Sequence, residues 1–216
     1  MALNVEPHIA RDEAALIERI RRGERALFHE LIRPYERGVY LAAYSILHNE
    51  ADAEEVAQES ILKALLHLGQ LREEEKFKSW LLLIVVNEAK MRRRKDRQHL
   101  YESVDDPGTE SEEGEFLPRQ FADWREIPSE SLERAEVRAA VSRALKSLPG
   151  IYREVFVLRD VEHLTVTETA QALEISEAAV KTRLHRARLQ MREQLAPAFG
   201  RSWLDRVAWW RGKKPW

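Results

Sequence analysis

Between Tyr101 and Ser129 the chain loses its hydrophobic periodicity, and this one break constrains what the rest can build. Pro107, Gly108, Gly114, Pro118 and Pro128 fall inside it. Its first half gathers Glu102, Asp105, Asp106, Glu110, Glu112, Glu113 and Glu115 without a compensating Lys or Arg. Such a composition buries too little apolar surface to offset the entropy of ordering it. Residues 101–129 therefore read as a flexible acidic linker, and the 216-residue chain as two small domains, one on each side of it.

Both sides are patterned for helices, and no convincing run alternates as a strand would, so the expected fold is all-α. Upstream, Leu16 and Ile20 suggest a short helix closed by Gly23. Leu27, Leu31, Tyr40, Ala43 and Leu47 suggest longer ones, interrupted at Pro34. Asp52, with Glu55 three residues on, reads as the N-cap of a helix whose Ala57, Ile61, Ala64, Leu65 and Leu68 share one face, with Gly69 as its stop. A further helix places Phe77, Trp80, Leu81, Ile84 and Met91 on one side and ends in the basic run Met91 to Lys95.

Beyond the linker, Val137, Val141, Ala144, Leu145 and Leu148 recur at helical spacing, and Pro149 suits the first turn of the next helix. Thr165 with Glu168 matches a capping box opening a short helix through Leu173. Ser176 caps another, expected to run to about Leu195, before Pro197. The expected boundaries are 1–100 and 130–196 for the two domains, with an extension over 197–216.

Charge and composition narrow the function. Lys and Arg total 35 against 37 Asp and Glu, a formal net charge of -2. Bulk electrostatics therefore cannot hold duplex DNA, and any contact must come from a local basic face or a partner's help. There is no cysteine, which excludes disulfides and thiolate chemistry and fits a reducing cytoplasm. Met1 to Ala10 carries no signal-peptide pattern. The longest apolar run, Trp80 to Val86, is far short of the roughly 20 residues a membrane span needs. His29-Glu30 lacks the second His of a zinc-protease helix. No Gly-rich phosphate loop or nucleophile elbow is present, and the seven His are scattered. An enzyme is disfavoured, and neither metal nor cofactor is implied.

The segment from Leu164 to Leu195 is a helix-turn-helix candidate: a short helix, a break at Glu174, Ile175 and Ser176, then a longer helix. In that motif the second helix enters the major groove. Here it presents Lys181, Thr182, Arg183, His185, Arg186, Arg188 and Arg192, while Ala178, Val180, Leu184, Ala187 and Met191 are available to pack. Arg can read guanine bidentately, and other basic side chains can hold phosphates. A solvated basic face gives the same pattern. Glu174 sits where Gly would turn more easily.

Leu148-Pro149, Tyr152 to Arg159, Thr167 to Leu173 and Val180 to Arg188 together resemble the fourth conserved region of the extracytoplasmic-function (ECF) sigma factors, which recognises the -35 promoter element. The resemblance implies that Lys181, Thr182, His185 and Arg186 face the DNA, with Arg183 and Arg188 nearer the backbone or the fold. Asp52 to Ala64 resembles the helix that docks on the β′ clamp helices of core RNA polymerase. This implies core-binding roles for Asp52, Glu55, Gln58, Glu59 and Leu62. Acids at a helix start also answer the helix dipole, an account that weakens at Gln58 and Glu59.

Phe77 to Leu81, Ile84, Val86-Asn87 and Ala89 resemble the region that opens the promoter at the -10 element. Lys76, Lys78, Ser79, Asn87, Lys90, Arg93 and Arg94 are its candidate DNA contacts. Arg92, Lys95 and Arg97 join them at phosphates, and Phe77 and Trp80 read as core. Leu83 departs from the family, where a basic residue is frequent.

The implied protein binds core polymerase, its β subunit as well as β′, together with promoter DNA. An anti-sigma factor is a further partner that many such proteins have, and stable membrane insertion is not expected. In the family the linker threads toward the RNA path. Its acidity fits either nucleic-acid mimicry or plain solubility. Residues 197–216, with Trp203, Trp209, Trp210 and Trp216 among basic residues, read as packing on the second domain, docking on a protein, or touching a membrane surface. The rival reading is a stand-alone helix-turn-helix regulator that binds DNA without polymerase; a helical adaptor for acidic proteins is a weaker one.

Overall fold

The computed structural model describes the backbone of residues 6–102 and 131–204 and the side chains of residues 13–96 and 139–196. Nine α-helices and no strand occur among the described residues. Contacts divide the chain into two units that part between Gln98 and His99. The greater part of the acidic linker and residues 205–216 lie outside the described residues, as do the side chains of the whole 197–216 extension.

The first unit comprises α1 (Glu6–Arg21), α2 (Phe28–Ile32), α3 (Glu36–Leu47), α4 (Glu50–His67) and, as far as Gln98, α5 (Phe77–Glu102). The chain turns at 33–35, so Pro34 separates α2 from α3 as its fixed φ and missing N–H lead one to expect. Helices α3 and α4 lie against each other, and Ala42, Ala43, Ala53 and Ala57 are all buried. Tyr35 donates a hydrogen bond to Glu13 and meets the Phe77 ring edge-on, with centroids 5.5 Å apart. Burial first, and then the Glu13 carboxylate, push the Tyr35 phenol well above its usual pKa.

Two expectations for this unit need correction. The N-cap of α4 is Asn49, not Asp52: its extended backbone lets Oδ1 accept the Asp52 N–H at 3.0 Å, which leaves the Asp52 carboxylate for other work. The buried face of α5 is Phe77, Leu81, Leu82, Val85, Val86 and Ala89. Trp80 and Ile84 sit half-exposed at its edge, and Met91 is 59% exposed. The run from Trp80 to Val86 supplies apolar residues on every side, so periodicity alone could not fix the phase of burial.

The second unit comprises α6 (Ser131–Ser147), α7 (Gly150–Phe156), a five-residue π turn over Val157–Val161, α8 (Val166–Leu173) and α9 (Glu177–Leu204). Val180, Leu184, Ala187, Met191 and Leu195 form the buried stripe of α9, whereas Ala178 is exposed. Buried Arg153 donates to the carbonyl of Leu148 at 3.2 Å, a cation held against the end of α6. The capping box is complete: Thr165 Oγ1 accepts the Glu168 N–H at 3.1 Å, and Glu168 Oε2 accepts the Thr165 N–H at 2.7 Å. Ser176 Oγ accepts the Ala179 N–H at 3.1 Å and starts α9. Helix α9 continues past Pro197, which was expected to end it. A proline removes one helical hydrogen bond, and such a position marks a probable boundary rather than a fixed stop.

Helix α8 closes on Glu174, whose φ of 57° is left-handed, with the Ile175 N–H reaching back to the Ala170 carbonyl at 3.0 Å. A side chain at that φ is strained, as Glycine's absence from the sequence there suggested. Glu174→Gly is expected to stabilise the protein by roughly 0.5–1 kcal/mol, the relieved left-handed strain less the added freedom of the unfolded chain. Thermal unfolding of the full-length chain reads this as a raised transition for the second unit. An unchanged or lowered transition contradicts it.

Candidate polymerase and promoter interfaces

Helix α4 turns Glu55, Gln58, Glu59 and Leu62 outward, opposite its buried Ala53, Val56, Ala57, Ser60 and Ala64. Leu62 is 61% exposed and Leu66, one turn further, 75%. Two large apolar side chains one turn apart are thus left in water on the same helix face. Leu66 was missed in the sequence, although its spacing of four from Leu62 was there to be seen. Asp52 is half-buried at the edge of this stripe, beside α5.

Arg92, expected at phosphates, points across to α4 instead. Its Nη2 donates to Asp52 Oδ1 at 2.8 Å and to Glu55 Oε2 at 2.5 Å. The hydrogen bond from Arg92 is the main cause that holds the Glu55 carboxyl below its usual pKa. Lys63 and Glu88, 2.5 Å apart, form a second bridge between α4 and α5. Two of the candidate docking acids therefore carry an intramolecular counter-ion that the sequence gave no reason to expect.

The other face of α5 carries the candidate -10 contacts. Ser79, Leu83, Asn87, Lys90 and Arg94 follow at i, i+4, i+8, i+11 and i+15, one stripe along the helix. Asn87 and Arg94 are exposed; Lys78, Ser79, Lys90 and Arg93 are half-exposed. Leu83 interrupts the stripe. The preceding loop is anchored by Arg21, which donates to the carbonyls of Leu68 and Leu71 and to Glu74 Oε1 at 2.6 Å. Lys76 is exposed at the loop's end, 2.8 Å from Glu73.

In the second unit α8, the turn and α9 form the expected helix-turn-helix, and Thr167 Oγ1 bonds Glu177 Oε1 at 2.7 Å between its two helices. Lys181, Thr182, His185 and Arg186 are all exposed on α9. Thr182 returns its hydroxyl to the Ala178 carbonyl at 2.9 Å, and Arg186 Nη1 donates to the Tyr152 hydroxyl at 3.2 Å. Arg183 is half-buried. Arg188 makes a bidentate pair with Asp160: Nε to Oδ2 at 2.8 Å and Nη2 to Oδ1 at 2.7 Å. Among the described residues no helix is long and apolar enough to cross a membrane.

Two all-helical units, the second carrying a helix-turn-helix with a basic outer face, are the architecture of a promoter-specificity factor. Comparison with known families agrees: residues 31–99 match the family described as Sigma-70 region 2, and residues 138–191 match Sigma-70, region 4. Among characterised relatives, the chain is 33% identical over 171 residues to the RNA polymerase sigma factor SigV of Bacillus subtilis (strain 168), covering 79% of this chain and 92% of that one. It is 29% identical over 179 residues to the ECF RNA polymerase sigma factor SigW of the same organism, covering 83% and 94%.

Among solved structures, the chain resembles the sigma factor RpoE in complex with the anti-sigma factor NepR from Bartonella quintana. The TM-score is 0.58 at 20% identity, over 78% of this chain and 96% of that one. CnrH in complex with the cytosolic domain of CnrY gives 0.52 at 22% identity, over 86% and 97%. Both support the fold. The chain belongs to the extracytoplasmic-function sigma factors, subunits that direct bacterial RNA polymerase to promoters.

Proposed function

We propose that α4 docks on core polymerase through Glu55, Gln58, Glu59, Leu62 and Leu66, with Asp52 at the margin. The Ser79–Arg94 stripe of α5, together with Lys76 and Lys78, takes the melted -10 strand, and α9 reads the -35 duplex through Lys181, Thr182, His185 and Arg186. The observation that supports this division most strongly is the outward stripe of α4, where acids flank two exposed leucines; a DNA reader working alone has no use for it. The domains divide as 1–100 and 130–196, with 101–129 as the tether.

Polymerase does the chemistry, and this chain makes and breaks no bond. The protein acts in the cytoplasm, where its target works. One of the solved neighbours is a sigma factor in complex with an anti-sigma factor, which supports a similar inhibitory partner here. A net charge of -2 fits two weak DNA faces that act together once polymerase holds them at one promoter.

Footprinting with and without core polymerase tests the division of labour. The expected result is protection of two dissimilar elements at one fixed spacing, and only when core is present. Protection of two symmetric half-sites by the chain alone contradicts it and favours the stand-alone regulator.

The ion pairs make a finer prediction for the -10 strand. Arg94→Ala is expected to reduce the salt dependence of single-strand binding by holoenzyme by about 0.7 in log–log slope, the value for one phosphate contact. Arg92→Ala leaves that slope unchanged, because its guanidinium is engaged by Asp52 and Glu55. Equal slope changes from the two variants contradict the assignment.

A further inference from the structure

We infer that Asp160 is a positioning residue for promoter recognition, and that Arg188 serves it rather than the DNA. The inference rests on reading α9 as the -35 helix. Asp160 lies in the π turn, where the Glu162 N–H bonds the Val157 carbonyl five residues back at 2.9 Å. A π turn adds a residue to the helical circuit and re-aims the side chains around it, and such turns concentrate where a function needs that direction. Here Val157, Leu158 and Glu162 are buried, and Asp160 meets α9 with its side chain only 6% exposed.

The contact is two parallel N–H···O bonds, from Arg188 Nε and Nη2 to the two Asp160 oxygens. A fork of this kind fixes orientation as well as distance, which a single point contact does not. It grips α9 two residues beyond Arg186 and three beyond His185, immediately after the stretch that faces the groove. A small roll of α9 about its axis would change which of Lys181, Thr182, His185 and Arg186 meets a base edge, and the fork opposes that roll. The carboxylate is the main cause that raises the Arg188 pKa. Neighbouring Arg159 is pushed below its usual value, first by burial and also by the like charge of Arg188. The Asp160 carboxylate therefore offsets the like charge of these two guanidiniums, and its removal leaves that repulsion uncompensated.

Binding of the reconstituted holoenzyme to its own promoter, and to the same promoter with the -35 element scrambled, tests this across a salt series. Asp160→Asn and Arg188→Ala are both expected to lower the ratio of the two affinities about tenfold, the scale of one lost base contact. The salt slope should stay unchanged. If Arg188 held a phosphate, Arg188→Ala would instead lower the slope by about 0.9 and spare the ratio, while Asp160→Asn would leave the ratio intact and strengthen binding. Either of those results overturns the inference. The double exchange Asp160→Arg with Arg188→Asp, made in the full-length protein, is expected to recover the ratio in part. A double variant that melts like the wild type and recovers nothing overturns it as well. Wild-type holoenzyme that selects no promoter removes the functional reading first, a different failure from wild-type selection with variants that lose only slope.

Discussion

Replacing Leu62 and Leu66 together by serine is expected to weaken binding to core polymerase by at least about a hundredfold without lowering the melting temperature. Both side chains stand in water in the free protein, so their loss costs the fold little; exposed substitutions usually stay within about 0.5 kcal/mol. Buried against a partner, each contributes roughly 1.5–3 kcal/mol from its apolar surface, and central apolar anchors dominate such interfaces. The flanking Glu55, Gln58 and Glu59 then set orientation and encounter rate more than affinity. Titration of labelled core polymerase with each variant measures this directly. Wild-type affinity in the double variant means that α4 docks elsewhere or not at all.

The second large effect belongs to α9. Lys181→Ala combined with Arg186→Ala is expected to lower discrimination between promoters by at least about thirtyfold, since each base-reading side chain contributes about 1–3 kcal/mol. Core binding should be untouched, because α4 and α9 lie in separate units. The hydrogen bond from Arg186 to Tyr152 keeps that guanidinium ordered at the surface before DNA arrives, which lowers the entropy lost on binding. Genome-wide binding of reconstituted holoenzyme measures the loss as a flattened preference across sites. A preference that survives the double substitution contradicts the placement of these residues at base edges.

Much of the helical framework was legible because it is set locally. Thr165 with Glu168, Ser176 with the Ala179 N–H, and Pro34 between two helices depend only on residues a few positions apart, and each acts as its chemistry dictates. Glu174 shows the same rule under strain: the turn needs a left-handed residue and takes one without glycine. Long-range choices were not legible. Asn49 outcompeted Asp52 for the cap of α4, and both types cap well, so sequence alone could not rank them. Met91 stands in water and Arg92 turns to Asp52 and Glu55, because the uniform apolar run before them does not reveal its inward side and so leaves the phase of the helix open.

The site divides along the same line. Exposure of Lys181, Thr182, His185 and Arg186 follows from the buried stripe of Val180, Leu184, Ala187 and Met191, which the period alone predicts. Which cations are already spent does not follow from any period. Arg92 on Asp52 and Glu55, and Arg188 on Asp160, join residues 40, 37 and 28 positions apart, and only the packed chain brings them together. A basic residue near a DNA-facing helix is therefore a candidate contact until its intramolecular partners are known.

The central claim is tested most directly by in vitro transcription with sigma-free core polymerase on pooled genomic promoter fragments, with and without this protein. The account predicts new, discrete start sites that require the protein and disappear when Lys181 and Arg186 become alanine. Core polymerase that binds the protein yet starts at the same sites with or without it contradicts the account.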